Sequence, residues 1–247
     1  MARLEGKVAL ITGAGSGFGE AMAHGFVAQG AHVIVADISI EGGKRVVQEI
    51  MDKKYSGGGS AAFLEFNVTN RNAWEKGLAF AEEKYGKLDI VVNNAGTTYK
   101  KQPSVEVSEA DFDKIIAVNV KGIYLSVSVI MPYFLKRKYG VYLNTSSVAG
   151  TRVRPGQVFY GGTKGFLNTV CFLPNNFSNT ALLTKHFVLD YARSGSRVRP
   201  VRNPREFSMS LAGCNRTPRD VQWSRRYPRR ERAFRFICAV EAYDRTK

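Results

Sequence analysis

Val8-Ala9-Leu10-Ile11-Thr12-Gly13-Ala14-Gly15-Ser16-Gly17-Phe18-Gly19 decides how this chain folds. Five residues of strand character run into a glycine-rich turn, which opens a stretch of helical periodicity from Phe18 to Gln29. The glycines permit a tight turn and let backbone N–H groups approach a pyrophosphate, whose charge the helix N-terminus favours. The spacing is not GxGxxG, because position 18 is Phe; Gly13, Gly17 and Gly19 instead form TGxxxGxG, with Ser16 and Phe18 inside it. A glycine-rich turn without a ligand is the plainer alternative, and a strand before with a helix after weighs against it.

Apolar runs of strand length alternate with amphipathic stretches outward from this loop, the pattern of βαβ units around a parallel sheet. Strands are expected at Val8–Thr12, His32–Ala36, Ala62–Phe66, Leu88–Val92 and Val141–Thr145. Helices are expected at Phe18–Gln29, Glu41–Lys54, Arg71–Tyr85 and, as one long element, Glu109–Leu135. The fold class is α/β, a doubly wound parallel sheet of Rossmann-like type in a single domain. Ser56-Gly57-Gly58-Gly59-Ser60 reads as a flexible connection, not a phosphate loop.

Asp37 closes the second strand about twenty residues beyond the glycine loop, where an acid can accept hydrogen bonds from ribose hydroxyls and repel a 2′-phosphate. No Arg or Lys stands beside it in sequence, which favours NAD over NADP. The plainer reading is an Asp that starts a turn or caps the next helix. Asn93-Asn94-Ala95-Gly96 follows the fourth strand, and alone is only a strand-ending turn. Tyr160-Gly161-Gly162-Thr163-Lys164 is more informative. If Tyr160 begins a helix, Lys164 lies one turn along on the same face, where its ammonium favours the phenolate and lowers the tyrosine pKa toward neutrality. An ordinary surface pair is the competing reading. Ser146 and Ser147 both follow the fifth strand, and alternation points them to opposite sides.

Taken in order, these motifs resemble the short-chain dehydrogenase/reductase family, in its 3-oxoacyl reductase and glucose dehydrogenase-like branches, over about residues 5–170. The resemblance implies that Asn119, Ser147, Tyr160 and Lys164 form a catalytic tetrad. Tyr160 would exchange the proton, Ser147 would orient the substrate oxygen, Asn119 would support a water relay and Lys164 would also bond the nicotinamide ribose. Family spacing selects Ser147 and leaves Ser146 structural. The cofactor contacts implied are Gly13, Ser16, Gly17, Phe18, Gly19, Asp37, Asn67, Val68, Asn94, Ala95, Gly96, Tyr160 and Lys164. Asn67 replaces an Asp that commonly meets the adenine amino group, and an amide oxygen can accept the same bond. The function implied is hydride transfer between NAD, less so NADP, and the carbonyl or alcohol carbon of a small alcohol, sugar or ketone; homo-oligomers are expected.

A chain of 247 residues, 44% hydrophobic, can bury one sizeable core. The apolar run begins near Val8, leaving no expected signal segment, and no stretch reads as long enough to span a bilayer; the expectation is a soluble cytoplasmic protein without membrane partners. Cys171, Cys214 and Cys238 lack metal-ligand spacing, and His24, His32 and His186 neither cluster nor accompany a nucleophile elbow. Neither a metal site nor a serine hydrolase is expected. The formal charge of +15 is uneven: residues 1–166 carry +5, mainly through Lys, and 167–247 carry +10, mainly through Arg. Cys171–Leu183, with Pro174, reads as an insertion in the catalytic helix, after which Thr184–Val198 resumes a helix and strand entry. Domain limits are thus expected at 1–198, with 199–247 an Arg-rich segment. A frame-shifted or intron-derived segment and a divergent extension both fit it. Weak catalysis by the chain as written is expected, and the alternative function is an inactive family-like protein binding a polyanion through its tail, nucleic acid being an unlikely partner.

Overall fold

A computed structural model describes residues 2–152, 154–170 and the strand at 181–189. Its elements are β1 (Val8–Thr12), α1 (Gly17–Ala28), β2 (His32–Asp37), α2 (Ile40–Lys53), β3 (Ser60–Glu65), α3 (Arg71–Tyr85), β4 (Ile90–Asn93), α4 (Glu109–Ile116), α5 (Gly122–Arg137), β5 (Tyr139–Ser147), α6 (Val158–Thr169) and β6 (Ala181–Leu189). The six strands run parallel in the order β3-β2-β1-β4-β5-β6, so the chain winds outward from β1 in one direction and from β4 in the other. A crevice opens where that direction reverses, beyond the C-terminal ends of β1 and β4.

Both faces of the sheet are covered, which is why the strands read as continuous apolar runs. Ala9 and Ile11 pack with Met22 and Phe26 of α1 and Val46 and Ile50 of α2. The alternate residues Val8 and Leu10 pack with Trp74 of α3 and Leu125, Ile130 and Phe134 of α5. Local chemistry fixes the helix ends. Ser39 accepts from the Gly42 N–H to cap α2, Asn70 accepts from the Asn72 N–H to cap α3, and Gly86, at φ 75°, ends α3.

The expected helix at Glu109–Leu135 is α4 and α5 joined by one π-helical turn, Ala117–Lys121. Over Glu109–Arg137 this stretch is long and apolar enough, by length and composition, to cross a membrane, contrary to the expectation above. Its apolarity has another cause: Ile123, Leu125, Ile130 and Phe134 are buried, most of them against the sheet and α3. A second correction concerns residues 181–189. Thr184–Leu189, read as the start of a helix, is strand instead: Ala181–Leu189 forms β6, in register from Tyr139 opposite Ala181 to Ser147 opposite Leu189, and the rest of that expected helix and strand entry, 190–198, lies outside the described residues. A nine-residue run rich in Leu, Phe and Val serves the outer edge of β5, whose backbone groups need a partner. Most of the expected insertion at 171–183, Pro174 included, and the Arg-rich 199–247 lie outside the described residues.

Candidate active site

The glycine loop is clamped from beneath by Asn94. Its Nδ2 donates to the carbonyls of Thr12 (2.9 Å) and Gly13 (3.1 Å), while Thr12 Oγ1 accepts the N–H groups of Asn94 (3.0 Å) and Ala95 (3.1 Å). Thr145 Oγ1 donates to Asn94 Oδ1 at 3.3 Å, so one side chain joins the ends of β1, β4 and β5. Contact is close enough to require glycine. A Cβ on Gly19 would lie 2.1 Å from the Gly13 carbonyl oxygen, and one on Gly13, at φ +63°, 2.9 Å from Ala95 Cα. Ser16 stands at the N-cap of α1 without using its hydroxyl as a cap, and Gly17 and Phe18 are exposed at the first turn. This leaves a helix N-terminus and an uncommitted hydroxyl facing the crevice, a donor set suited to a pyrophosphate.

Asp37 is buried at the end of β2 and accepts twice: Oδ2 from the Gly15 N–H at 2.7 Å and Oδ1 from the Ser39 N–H at 2.8 Å. The turn-forming and the loop-facing readings of this residue therefore both hold. No Arg or Lys stands beside Asp37 in sequence, but folding brings a guanidinium to the loop that Asp37 holds. Arg45, eight residues on, donates from Nη2 to the Gly15 carbonyl at 3.1 Å. Its guanidinium also pairs with Glu20 (2.7 Å) and Glu49 (2.6 Å), which oppose its availability to a phosphate. Glu49 four residues after Arg45 on α2 was a legible signal for this network. His24 joins the same group, its Nε2 lying 3.5 Å from Glu49, and burial is the leading cause that lowers its pKa. Glu20, His24 and Glu49 thus cluster, contrary to the isolated histidines expected, but Arg45 already balances both carboxylates.

Around Tyr160 four elements converge. Ser147, at the end of β5, accepts from the Ala149 N–H at 3.2 Å, opens the 3-10 turn Val148–Gly150 and stands close enough to Tyr160 for its hydroxyl to oppose the rise in the phenol pKa. Gly150 admits α6 closely, since a Cβ there would lie 2.6 Å from the Lys164 carbonyl carbon. Ser146 Oγ donates to the Lys164 carbonyl at 3.1 Å and lies 2.6 Å from Asn168 Oδ1, a structural tie to α6. Lys164 Nζ donates to the Thr145 carbonyl at 2.8 Å, lies 5.9 Å from the Tyr160 ring centroid and faces Gly96, whose added Cβ would sit 3.3 Å from it. Asn119 sits in the π-helical turn, a device that re-aims a side chain at functional sites. Its Nδ2 donates to the Thr97 carbonyl (2.9 Å) and Thr163 Oγ1 (3.0 Å), and its Oδ1 accepts the Thr97 N–H (2.9 Å).

The electrostatics differ from the sequence expectation. Burial raises the Tyr160 pKa, opposed by the nearby Ser147 hydroxyl and the Arg154 charge and not by Lys164. Burial also lowers Lys164 to about 8. Desolvation leads both shifts, and Nζ is engaged by the Thr145 carbonyl. Two implied adenine-side contacts are also constrained. Asn67 Oδ1 already accepts from the Thr69 N–H (3.0 Å) and Oγ1 (2.8 Å). Val68 is buried, its carbonyl accepting the Trp74 indole N–H at 3.0 Å. An open groove between α3 and α5, lined by Arg71, Glu75, Leu78 and Ser128, lies on the flank, away from these groups.

A doubly wound sheet with a glycine loop at its switch point and a Ser–Tyr–Lys group beside it defines an NAD(P)-dependent oxidoreductase of dehydrogenase/reductase type. Residues 7–171 match the short chain dehydrogenase family model, and the chain belongs to that family. It is 36% identical over 201 residues to the 4-formylbenzenesulfonate dehydrogenase of Comamonas testosteroni, covering 81% of this chain and 73% of that protein. It is 40% identical to the 3-oxoacyl-[acyl-carrier-protein] reductase of Thermotoga maritima over 66% of this chain and 64% of that one. The NADH complex of the 3-ketoacyl-(acyl-carrier-protein) reductase from Brucella melitensis superposes with a TM-score of 0.67 at 35% identity, over 75% of this chain and 76% of that chain.

Proposed function

We propose that the chain is an NAD-linked dehydrogenase/reductase acting on the alcohol or carbonyl carbon of a small alcohol, sugar or ketone, in the cytoplasm and as a homo-oligomer. What supports it is the gathering of Ser147, Tyr160 and the buried Lys164, whose Nζ lies 5.9 Å from the Tyr160 ring centroid, at the same end of the sheet as the glycine loop. The residues present fit a dinucleotide: the α1 N-terminus and Ser16 suit a pyrophosphate, Asp37 retains acceptor capacity for ribose hydroxyls, and Lys164 lies against Gly96 where a second ribose can pass. Asp37 is the reason for preferring NAD, since a 2′-phosphate would meet its charge. Arg45 is held away by Glu20 and Glu49.

A bound nicotinamide supplies or accepts the hydride; this chain's residues manage the proton. Tyr160 gives its Oη proton to the oxygen of a carbonyl substrate, or takes the hydroxyl proton from an alcohol. Ser147 holds the substrate oxygen within reach of that phenol, and the Lys164 charge stabilises the phenolate left behind. Asn119 keeps the Thr97 backbone and Thr163, the residue before Lys164, in place. A screen of alcohols, sugars and ketones with NAD and NADP in parallel tests the reading. NAD-linked turnover is expected, and a protein that binds neither dinucleotide refutes it.

A further inference from the structure

The corner where α1, α2 and the glycine loop meet holds more charge than the proton chemistry or a pyrophosphate uses. Glu20 lies in the first turn of α1, and Arg45 and Glu49 stand one turn apart on α2. The start of α2 is pressed against the loop: a Cβ on Gly42 would lie 2.9 Å from the Gly15 carbonyl oxygen, and one on Gly15 would lie 3.1 Å from the Gly43 nitrogen. That approach delivers the Arg45 guanidinium to the loop. Gly15 then separates two opposite charges by the width of one residue, its N–H donating to Asp37 Oδ2 at 2.7 Å and its carbonyl accepting from Arg45 Nη2 at 3.1 Å.

A guanidinium so close to the carboxylate proposed to meet the ribose would ordinarily serve a 2′-phosphate, since its planar fork matches phosphate oxygens. Here the fork is spent. Arg45 Nη1 donates to Glu49 Oε1 (2.6 Å) and Glu20 Oε1 (3.4 Å), and Nη2 donates to Glu20 Oε2 (2.7 Å) and the Gly15 carbonyl (3.1 Å). Each of the two terminal nitrogens carries two hydrogens, and each has two acceptors. Charge points the same way: two carboxylates against one guanidinium leave this corner negative, and Asp37 adds to it. Exposed ion pairs ordinarily contribute little, but this one is a forked network of three side chains anchored on a backbone carbonyl.

We propose that Glu20 and Glu49 are positioning residues for cofactor specificity, acting through Arg45: by filling its fork and outweighing its charge they withhold it from a ribose 2′-phosphate, so that NADP is excluded by three carboxylates and not by Asp37 alone. The inference rests on the dinucleotide reading above and deepens it. Acceptance of NADP is on this view latent in the side chains already present. Neutralising both glutamates turns the corner from net negative to net positive, and a neutral amide holds the fork about half as strongly as a carboxylate.

Calorimetric titration of NADH and NADPH into the full chain tests this, read as the ratio of the two Kd values, because a loss of packing alone weakens both cofactors alike. The unchanged chain is expected to bind NADH at least about tenfold more tightly, and Asp37→Ala to bring the ratio to about one. Adding Glu20→Gln and Glu49→Gln to Asp37→Ala should invert it, with NADPH about tenfold tighter, and further adding Arg45→Ala should return it to about one. Asp37→Ala with Glu49→Gln alone should fall between, and serves the same comparison if the triple variant folds poorly. A ratio that stays where Asp37→Ala puts it once the glutamates are neutralised, or an inversion that survives Arg45→Ala, overturns the proposal. NADH is titrated into the unchanged chain first: its failure to bind defeats the dinucleotide reading and this inference with it, whereas NADH binding with a ratio indifferent to Glu20 and Glu49 defeats the inference alone.

Discussion

Two opposed tendencies meet at Lys164 Nζ, which donates to the Thr145 carbonyl at 2.8 Å although burial lowers its pKa to about 8. A lysine whose folded pKa lies below its unfolded value of 10.5 binds fewer protons folded than unfolded between those limits. Unfolding therefore takes up a proton in that window, and the contribution of Lys164 to stability rises with pH from about 8 to 10.5. Below pH 8 the buried ammonium costs up to about 3 kcal/mol, offset in part by its hydrogen bond. Denaturant titrations of wild type and Lys164→Met across this range test the point. The stability of the variant relative to wild type should be greatest below pH 8 and decline as pH rises; a flat difference contradicts it. At Asp37, Ala should weaken NADH binding, narrow the gap to NADPH and loosen the loop, because both the Gly15 and Ser39 N–H groups lose an acceptor. Asn keeps acceptance at one oxygen only, so Asp37→Asn should be intermediate in stability. Parallel titrations with NADH and NADPH read the first effect and thermal melts the second.

On the proposed reading cofactor affinity depends on the turn between β1 and α1, and the close packing of Gly19 against Gly13 and Asn94 sets its geometry. Gly19→Ala would drive a Cβ into the Gly13 carbonyl and the Asn94 amide, so the loop must open or the helix must shift. Loss of NADH binding of at least about tenfold is expected, with a stability cost of about 1–3 kcal/mol, typical of overpacking. Unchanged NADH affinity would show that the loop tolerates displacement. This element was legible because its signals are local: a strand run, positions needing glycine and a helix period. The limits of α3 were legible for the same reason, with Asn70 to start it and Gly86 to stop it. Elements set by distant contacts were not. Nothing in Ala117–Lys121 announces a π turn, which is tied to Thr97 and Thr163 through Asn119. Likewise β6 follows from the open edge of β5, and its Leu- and Phe-rich run fits a buried helix equally well. In the site, residue identities and spacings could be read, but the Arg45 bridge to Gly15 and the upward shift of Tyr160 arise only when separate segments are buried together.

At the scale of the whole molecule, the cofactor loop, Asp37, the Asn94 clamp and the Ser147–Tyr160–Lys164 group all stand at one end of one parallel sheet. Dinucleotide should therefore stabilise the entire described fold: NADH at a hundred times its Kd should add about 2.7 kcal/mol to unfolding, read as a rise in Tm. Because this binding uses a shaped crevice, it should depend far less on salt than polyanion capture by surface arginines would. The helix bearing Tyr160 and Lys164 ends at Thr169, so it has little length with which to hold its two side chains in place. Slow turnover relative to cofactor affinity is accordingly expected of the chain as written. The central claim is that Tyr160 carries the proton in an NADH-dependent reaction, and paired measurement of NADH affinity and turnover in wild type and Tyr160→Phe tests it most directly. The account predicts nearly equal NADH affinity and turnover reduced at least about a hundredfold. Near-normal turnover in Tyr160→Phe would contradict it.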